Sequence, residues 1–494
     1  MHYVKALWIL TVIALTITSC ADNPAMKARY EAEKMFFEAE RLAQSAQVRP
    51  DINNAGLLEE IRGSYGRVAD FCFETLDRVD PAVHPLEYDE LAILAFKASG
   101  RLTQLFYLGQ QFDTCVSICD RLLAQTNLRG TPLISAYLSL GRSLQAAGRW
   151  DSAMAVYDHA IETFYPPLEP NGKIMTGLFN LPAQIFQIHA RVGDTIAAAM
   201  QLDRAVYYYR DLIKEYPESR LANASHASLA VLYEQTGQWQ RTIEELAQVV
   251  DSAGNTALPA REKAADLYAN KLKRYDRALA GYDSLIASVS GADTVNLPGL
   301  EFKTAIVFIE KKEYGRARDI LNRLKDDFPR YFAGNAMAQY SVARIFELQN
   351  NWERAETEYR YLLENYEESN EAMSTYLYLA GRLEEQGRRL EAQRLEEEAE
   401  ALYKRIAADR AGSFAEANAL SYQAELLRRQ EDWPQAAAKL AEVFSKFPYS
   451  EIGYRSAVAA AAIYRDELND SRRSDSLVTE VKKKLTAVDA NAEF

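Results

Sequence analysis

Between Leu140 and Pro166, in LGRSLQAAGRWDSAMAVYDHAIETFYP, small and apolar residues recur with a helical period that breaks once, at Gly148. Leu140, Gly141 and Leu144 line one face before the glycine. Ala153, Tyr157 and Ala160 follow it at i, i+4 and i+7, so they share a face of a second helix and present a small-large-small stripe to the first. The pattern predicts a helical hairpin.

The same order recurs down the chain. With the aromatic after each turn as reference (Phe112, Trp150, Trp239, Tyr275, Tyr314, Trp352, Trp433), position +3 reads Cys115, Ala153, Thr242, Ala278, Ala317, Ala355 and Ala436. Position +7 reads Cys119, Tyr157, Leu246, Tyr282, Leu321, Tyr359 and Leu440. Neighbouring aromatics lie 38 residues apart from Phe112 to Trp150, 36 from Trp239 to Tyr275, 39 from Tyr275 to Tyr314 and 38 from Tyr314 to Trp352. These columns resemble those of the tetratricopeptide family, whose repeat is a helix-turn-helix of about 34 residues. The resemblance implies an all-α superhelical solenoid of stacked helix-turn-helix repeats.

Two units are degenerate. One, around Gly193, Ala198, Leu202 and Ala205, lacks the aromatic, and another, with Leu379, Leu383, Gly387 and Ala392, has Arg389 in its place. Aromatic-proline pairs (Tyr165-Pro166, Tyr216-Pro217, Phe328-Pro329, Phe447-Pro448) predict where second helices stop, since proline lacks an N–H and restricts the residue before it. Tyr216-Pro217-Glu218-Ser219 and Phe447-Pro448-Tyr449-Ser450 also resemble endings in bacterial envelope members of the family. The charge-dense stretch from Leu383 to Arg405 fails to keep a heptad. It reads as a long second helix with solvated charges outside and Leu383, Leu390, Leu395, Ala399 and Leu402 on its apolar stripe.

The chain start reads as an address. Met1 to Lys5 carry positive charge, Ala6 to Ile17 are an apolar run, and Ile17-Thr18-Ser19-Cys20 follows. Twelve apolar residues fall short of the roughly 20 a spanning helix needs. Ile-Thr-Ser-Cys resembles the lipobox of bacterial lipoproteins, which implies a signal peptide over 1–19, lipidation at Cys20 and a tether over 20–25. Ala21 after the cysteine, rather than Asp, leans towards the outer membrane. Residues 26–90 read as N-terminal helices, with Ala32, Phe36 and Ala39 repeating second-helix spacing as a half-repeat. Repeats follow over 91–470, interrupted by a proline-rich insertion about 166–182, and 471–494 reads as a capping helix or tail.

Composition narrows the function. A net charge of -13 disfavours nucleic acid or an anionic lipid surface as the main partner. Apart from Cys20, the cysteines are Cys72, Cys115 and Cys119; the last two fall in core columns and read as buried thiols. No HExxH, GxxxxGK[ST], GxSxG or paired CxxC occurs, and His84, His159, His189 and His226 are scattered over different units. The expectation is a protein that is not an enzyme and takes no metal, cofactor or small-molecule substrate, apart from the lipid on Cys20. Of Tyr207-Tyr208-Tyr209, only some can face the core.

The family resemblance places candidate groove positions on the first helices: Leu138, Arg142 and Gln145; Glu234 and Gln235; Tyr340, Arg344 and Glu347; Glu425 and Arg428. The Lys and Asn with which relatives clamp a terminal carboxylate are missing at Leu138 and Arg142, and at Tyr340 and Arg344. Tyr340 with Arg344 is the most binding-like pair, an aromatic beside a fixed fork of donors. The alternative is that Tyr340 packs between units and Arg344 pairs with Glu347. The resemblance extends to envelope tetratricopeptide lipoproteins, such as the lipoprotein subunit of the outer-membrane β-barrel assembly machine and periplasmic cell-division coordinators. It implies a scaffold anchored facing the periplasm that works through protein partners. A polysaccharide- or peptidoglycan-binding accessory is the alternative.

Overall fold

The computed structural model describes residues 23–47, 55–165, 172–289 and 297–492. Residues 1–22, with the expected signal segment and Cys20, lie outside them, and the tether expected over 20–25 is shorter than that, since Pro24 and Ala25 already belong to the first helix. The described chain opens with α1 (Pro24–Gln47) and α2 (Ala55–Leu76). Hairpins follow: α3 (Pro85–Leu108) with α4 (Phe112–Gln125), then α5 (Gly130–Ala146) with α6 (Trp150–Phe164). A short α7 (Lys173–Leu178) precedes the pair α8 (Leu181–Val192) and α9 (Thr195–Glu215). Next come α10 (Arg220–Gln235) with α11 (Trp239–Leu246), α12 (Leu258–Asn270) with α13 (Tyr275–Val289), and α14 (Leu297–Glu310) with α15 (Tyr314–Asp327). The last pairs are α16 (Phe332–Leu348) with α17 (Trp352–Asn365), α18 (Asn370–Glu385) with α19 (Arg389–Asp409), α20 (Phe414–Arg429) with α21 (Trp433–Lys446), and α22 (Glu451–Asp466) with α23 (Ser471–Ala492). The only β pairing among the described residues is one bridge, Val250 to Thr256.

One turn geometry makes all these hairpins. The residue two places before each second helix has positive φ: Gln110, Gly148, Gly193, Gly237, Lys273, Lys312, Asn350, Gly387, Glu431 and Asn469. The next amide reaches back to a carbonyl of the last turn of the first helix. Examples are Arg149 N to Leu144 O at 2.8 Å, Glu313 N to Phe308 O at 2.8 Å and Asn351 N to Phe346 O at 2.9 Å. This is the left-handed helix ending that satisfies otherwise orphaned carbonyls. Each reference aromatic then occupies the first position of its second helix.

Packing follows the columns. All seven +3 residues are buried, from Cys115 and Ala153 at 0 % exposure to Thr242 at 1 %. At +7, Cys119, Tyr157, Tyr282, Leu321, Tyr359 and Leu440 are also buried, each large side chain contributing about 1.5–3 kcal/mol, while Leu246 is only half-buried. Gly141 illustrates the fit: a Cβ there would stand 2.2 Å from Cε1 of Tyr157, so the tyrosine ring requires the glycine opposite. Second helices stop where the aromatic-proline pairs predict, with Tyr165, Tyr216, Phe328 and Phe447 as the capping residues of α6, α9, α15 and α21.

Two compact units divide at Ser225 and His226, within α10. In the first, Ala32 and Ala39 of α1 are buried and Phe36 lies 6.1 Å from the Tyr65 ring of α2. Cys72, Cys115 and Cys119 are buried free thiols; burial pushes them up to about 12, 11 and 12. Within the proline-rich interruption, α7 buries Met175 and Leu178. Of the three consecutive tyrosines, Tyr208 and Tyr209 are buried and Tyr207 is 74 % exposed. In the second unit, α19 buries Leu395, Ala399 and Leu402 as its stripe requires, but Leu390 is 75 % exposed. It falls one residue after the helix start, ahead of the packed stripe that Ala392 begins and Tyr403 and Ile406 complete.

Candidate interaction surface

The candidate residues lie on first helices, and the structure divides them by whether a neighbour already holds them. In the first unit, α3 and α5 face each other across a polar pocket of about 150 Å³ lined by Thr103, Gln104, Tyr107, Ser139, Arg142 and Ser143. Its small lining residues have local uses: the Ser143 hydroxyl donates to Ser139 O at 2.8 Å, and the Ser139 hydroxyl to Ser135 O at 2.9 Å. Arg142 is exposed, and no described carboxylate lies within ion-pair distance of it. Its guanidinium therefore reaches the pocket mouth with its charge uncompensated. One turn on, Gln145 accepts a hydrogen bond from the Tyr157 hydroxyl at 3.3 Å, which ties it to the second helix. Leu138 is half-buried and packs into the core of the hairpin.

In the second unit the charged candidate residues of the first helices are held by internal ion pairs. Glu234 pairs with Lys263 of α12 at 2.7 Å, and Arg428 with Glu425 one turn earlier at 2.8 Å. Gln235 is exposed. Arg344 is joined to Glu347, and the Tyr340 ring lies 5.7 Å from the Tyr359 ring, the packed arrangement that competes with a free binding pair. Glu347 is the hub: it also accepts from the Tyr359 hydroxyl at 3.1 Å and from the Tyr378 hydroxyl. Burial opposes its charge, but the bonds from Tyr378, Arg344 and Tyr359 outweigh that and hold its carboxyl below the usual range. Burial and the bond to Glu347 push Tyr378 up to about 12. A ligand at Tyr340 and Arg344 has to share or displace these contacts.

Sequence reasoning did not find Gln104 and Tyr107, which complete the Arg142 pocket from the preceding first helix, or Tyr378, which closes the Glu347 network. Tyr378 sits in the copy whose second helix begins with Arg389, so the aromatic register could not locate it. Among the described residues, no group of three His, Cys, Asp or Glu is placed to hold a metal ion. No described helix is long and apolar enough to cross a membrane.

The chain matches the tetratricopeptide repeat family over residues 135–166, 194–219 and 300–331, which correspond to the α5–α6 hairpin, the α9 region and the α14–α15 hairpin. No curated protein sequence matches it. Among solved structures, it is similar to a tetratricopeptide repeat protein from Parabacteroides merdae, at 15% identity over 56% of this chain and 96% of that one, with a TM-score of 0.30. Yeast Tom70 is 13% identical over 94% of this chain and 95% of its own, with a TM-score of 0.36. The C-terminal part of a TPR repeat-containing protein from Cytophaga hutchinsonii is 12% identical over 53% and 94%, also at 0.36. The repeated turn, the buried columns and the matched segments make this chain an all-α solenoid of tetratricopeptide-like helix-turn-helix repeats, a fold that generically serves protein–protein interaction.

Proposed function

We propose that this chain is a scaffold of the bacterial envelope, anchored by a lipid on Cys20 in the outer membrane and facing the periplasm. There it holds protein partners during envelope assembly, either of outer-membrane proteins or of the cell wall. The anchor half of the reading is supported by the apolar run followed by Ile17-Thr18-Ser19-Cys20, with Ala21 after the cysteine. The scaffold half is carried by one observation: Arg142 stands exposed and without an ion pair at a polar pocket formed by two successive first helices. A guanidinium in that position offers a fork of donors to a partner's carboxylate or backbone carbonyls. Binding there does not have to break an existing salt bridge, as it would at Arg344.

Metabolic labelling with a fatty acid tests the anchor. Wild type should be labelled and membrane-bound, and Cys20→Ser should lose both properties; a soluble, unlabelled wild type overturns it. Cross-linking and mass spectrometry in intact cells tests the scaffold. Partners should cross-link to α3 and α5, and Arg142→Ala should weaken capture at least tenfold without changing helix content. Capture of glycan in place of protein, lost in the same variant, would replace the reading with a polysaccharide-binding one.

A further inference from the structure

The second helix α11 is eight residues long, whereas its counterparts α13, α15, α17 and α21 run to 14 or 15. The missing six or seven residues correspond to about 10 Å of helix at 1.5 Å per residue. After Leu246 the chain turns away instead, through a loop in which Asp251 Oδ1 accepts from the amides of Ala253 and Asn255 and Val250 bridges Thr256. Beside the shortened helix lies a groove of about 440 Å³, bounded by α11, α12 and α13. Leu246, buried at this column position in the other hairpins, is here half-buried at its edge.

The groove is lined mostly by small and apolar residues. Its floor includes Ala260, Ala264 and Ala265, with Ala280 exposed at its edge; Gly281 lets α13 close on Ala265 of α12 beneath it, and these small side chains leave the slot open above. Its rim carries Arg261 and Arg277. Arg261 donates to the hydroxyls of Ser284 at 2.6 Å and Ser288 at 3.3 Å, and Arg277 lies over the Tyr268 ring, 5.6 Å from its centroid. All of those partners are neutral. Of the nearby acids, Glu262 and Asp266 bind Lys303 at 2.7 and 2.8 Å and Asp276 binds Lys311 at 2.7 Å, while the exposed Asp283 of α13 pairs with neither arginine. Among the described residues, neither rim arginine has a carboxylate within ion-pair distance. An acidic chain thus keeps two uncompensated guanidiniums at the edge of an apolar slot.

We infer that this slot is a docking site for a short amphipathic helix of a partner protein, about two turns long. That helix lays small or medium apolar side chains on the alanine floor and sets acidic residues against Arg261 and Arg277. It supplies in trans the turns that α11 lacks, so its recognition combines apolar burial with charge-assisted bonds to the rim. The inference rests on the reading of this chain as a protein-binding scaffold, but it uses a different surface from the Arg142 pocket.

The probe is a displayed library of 12-residue helical peptides built from Ala, Leu, Gln, Glu and Lys, selected on the full chain and measured by fluorescence anisotropy. Enriched peptides should carry Glu at helical spacing beside Leu or Ala. They should bind at least tenfold more weakly to Ala280→Trp, which fills the slot from an exposed position. Arg261→Gln with Arg277→Gln should show a similar loss, with circular dichroism unchanged in each variant. Failure to enrich any peptide overturns the inference, as does enrichment of lysine peptides or equal binding to the variants. Binding lost on Arg142→Ala but kept in Ala280→Trp would overturn the slot while leaving the scaffold reading intact. Self-association of wild type that is abolished by Ala280→Trp would assign the slot to a second copy and likewise overturn it.

Discussion

The α16–α17 and α10–α11 hairpins begin with the same turn and end differently. Both place a tryptophan at the start of the second helix after a left-handed residue, Asn350 in one and Gly237 in the other. Both link a first-helix residue thirteen places before that tryptophan to a glutamate six places after it. Gln339 Nε2 donates to Glu358 Oε2 at 2.7 Å, and His226 Nδ1 lies 2.8 Å from Glu245 Oε2. In α17 the helix then continues, with Ala355, Tyr359 and Leu362 fully buried. In α11 the glutamate itself is the buried residue at 4 % exposure, Leu246 is half out, and the helix ends there. The difference shows that the turn and the +3 residue are enough to start a second helix, while a large residue at +7 does not by itself carry it to full length: Leu246 fits the column and α11 still ends there, whereas Tyr359 is buried and α17 continues.

The largest expected effect comes from breaking the complete hairpin. Ala355→Trp forces an indole into a site with no exposed surface and should cost about 3 kcal/mol, the upper end of overpacking penalties. Urea unfolding should show it, and an unchanged midpoint would mean that the column is misplaced. In the short hairpin, Glu245→Ala leaves His226 facing an unfilled buried site and should cost about 2 kcal/mol, discounted because the histidine keeps some contact with water. His226→Gln recreates the pair present at Gln339 and Glu358, so its cost should stay under about 1 kcal/mol.

Acid should separate the two hairpins further. Because the folded pKa of Glu347 is depressed, its contribution to stability is complete above the unfolded value of about 4.3 and is lost as pH falls through the lower folded value. Wild type should therefore lose more stability than Glu347→Gln between pH 5 and pH 3, measured by thermal unfolding across that range. A smaller gain is available at the turns. Lys312 and Glu431 hold left-handed conformations that glycine adopts freely, so Lys312→Gly or Glu431→Gly should stabilise by about 0.5–1 kcal/mol. Destabilisation would show that those side chains have contacts that matter more than the strain.

Much of this fold was legible in the sequence because two separate signals agreed. Helical spacing put Ala153, Tyr157 and Ala160 on one face, and the aromatic after each turn fixed where that face begins. The turns themselves were legible only in part: Gly148, Gly193 and Gly387 are visible as breakers, but Gln110, Lys273, Lys312 and Glu431 adopt the same left-handed geometry without a residue that advertises it. The early end of α11 was hidden because Leu246 fits its column, and only the loop after it diverts the chain. For the candidate site, sequence named the first-helix positions but could not tell which were occupied. Whether Arg142 or Arg344 is free depends on residues such as Tyr359 and Tyr378 that come close only after folding. Cys20 falls outside the described residues, and its case rests on the motif alone.

Amide hydrogen exchange of the intact chain, followed by mass spectrometry, tests most directly whether the repeat is complete in one hairpin and truncated in the other. The amides of Tyr359–Asn365 should exchange slowly, through opening of the packed hairpin, while those of residues 247–257 should exchange orders of magnitude faster. Equal, strong protection across both segments would contradict the account, because α11 would then continue as a full second helix and the slot beside it would not exist.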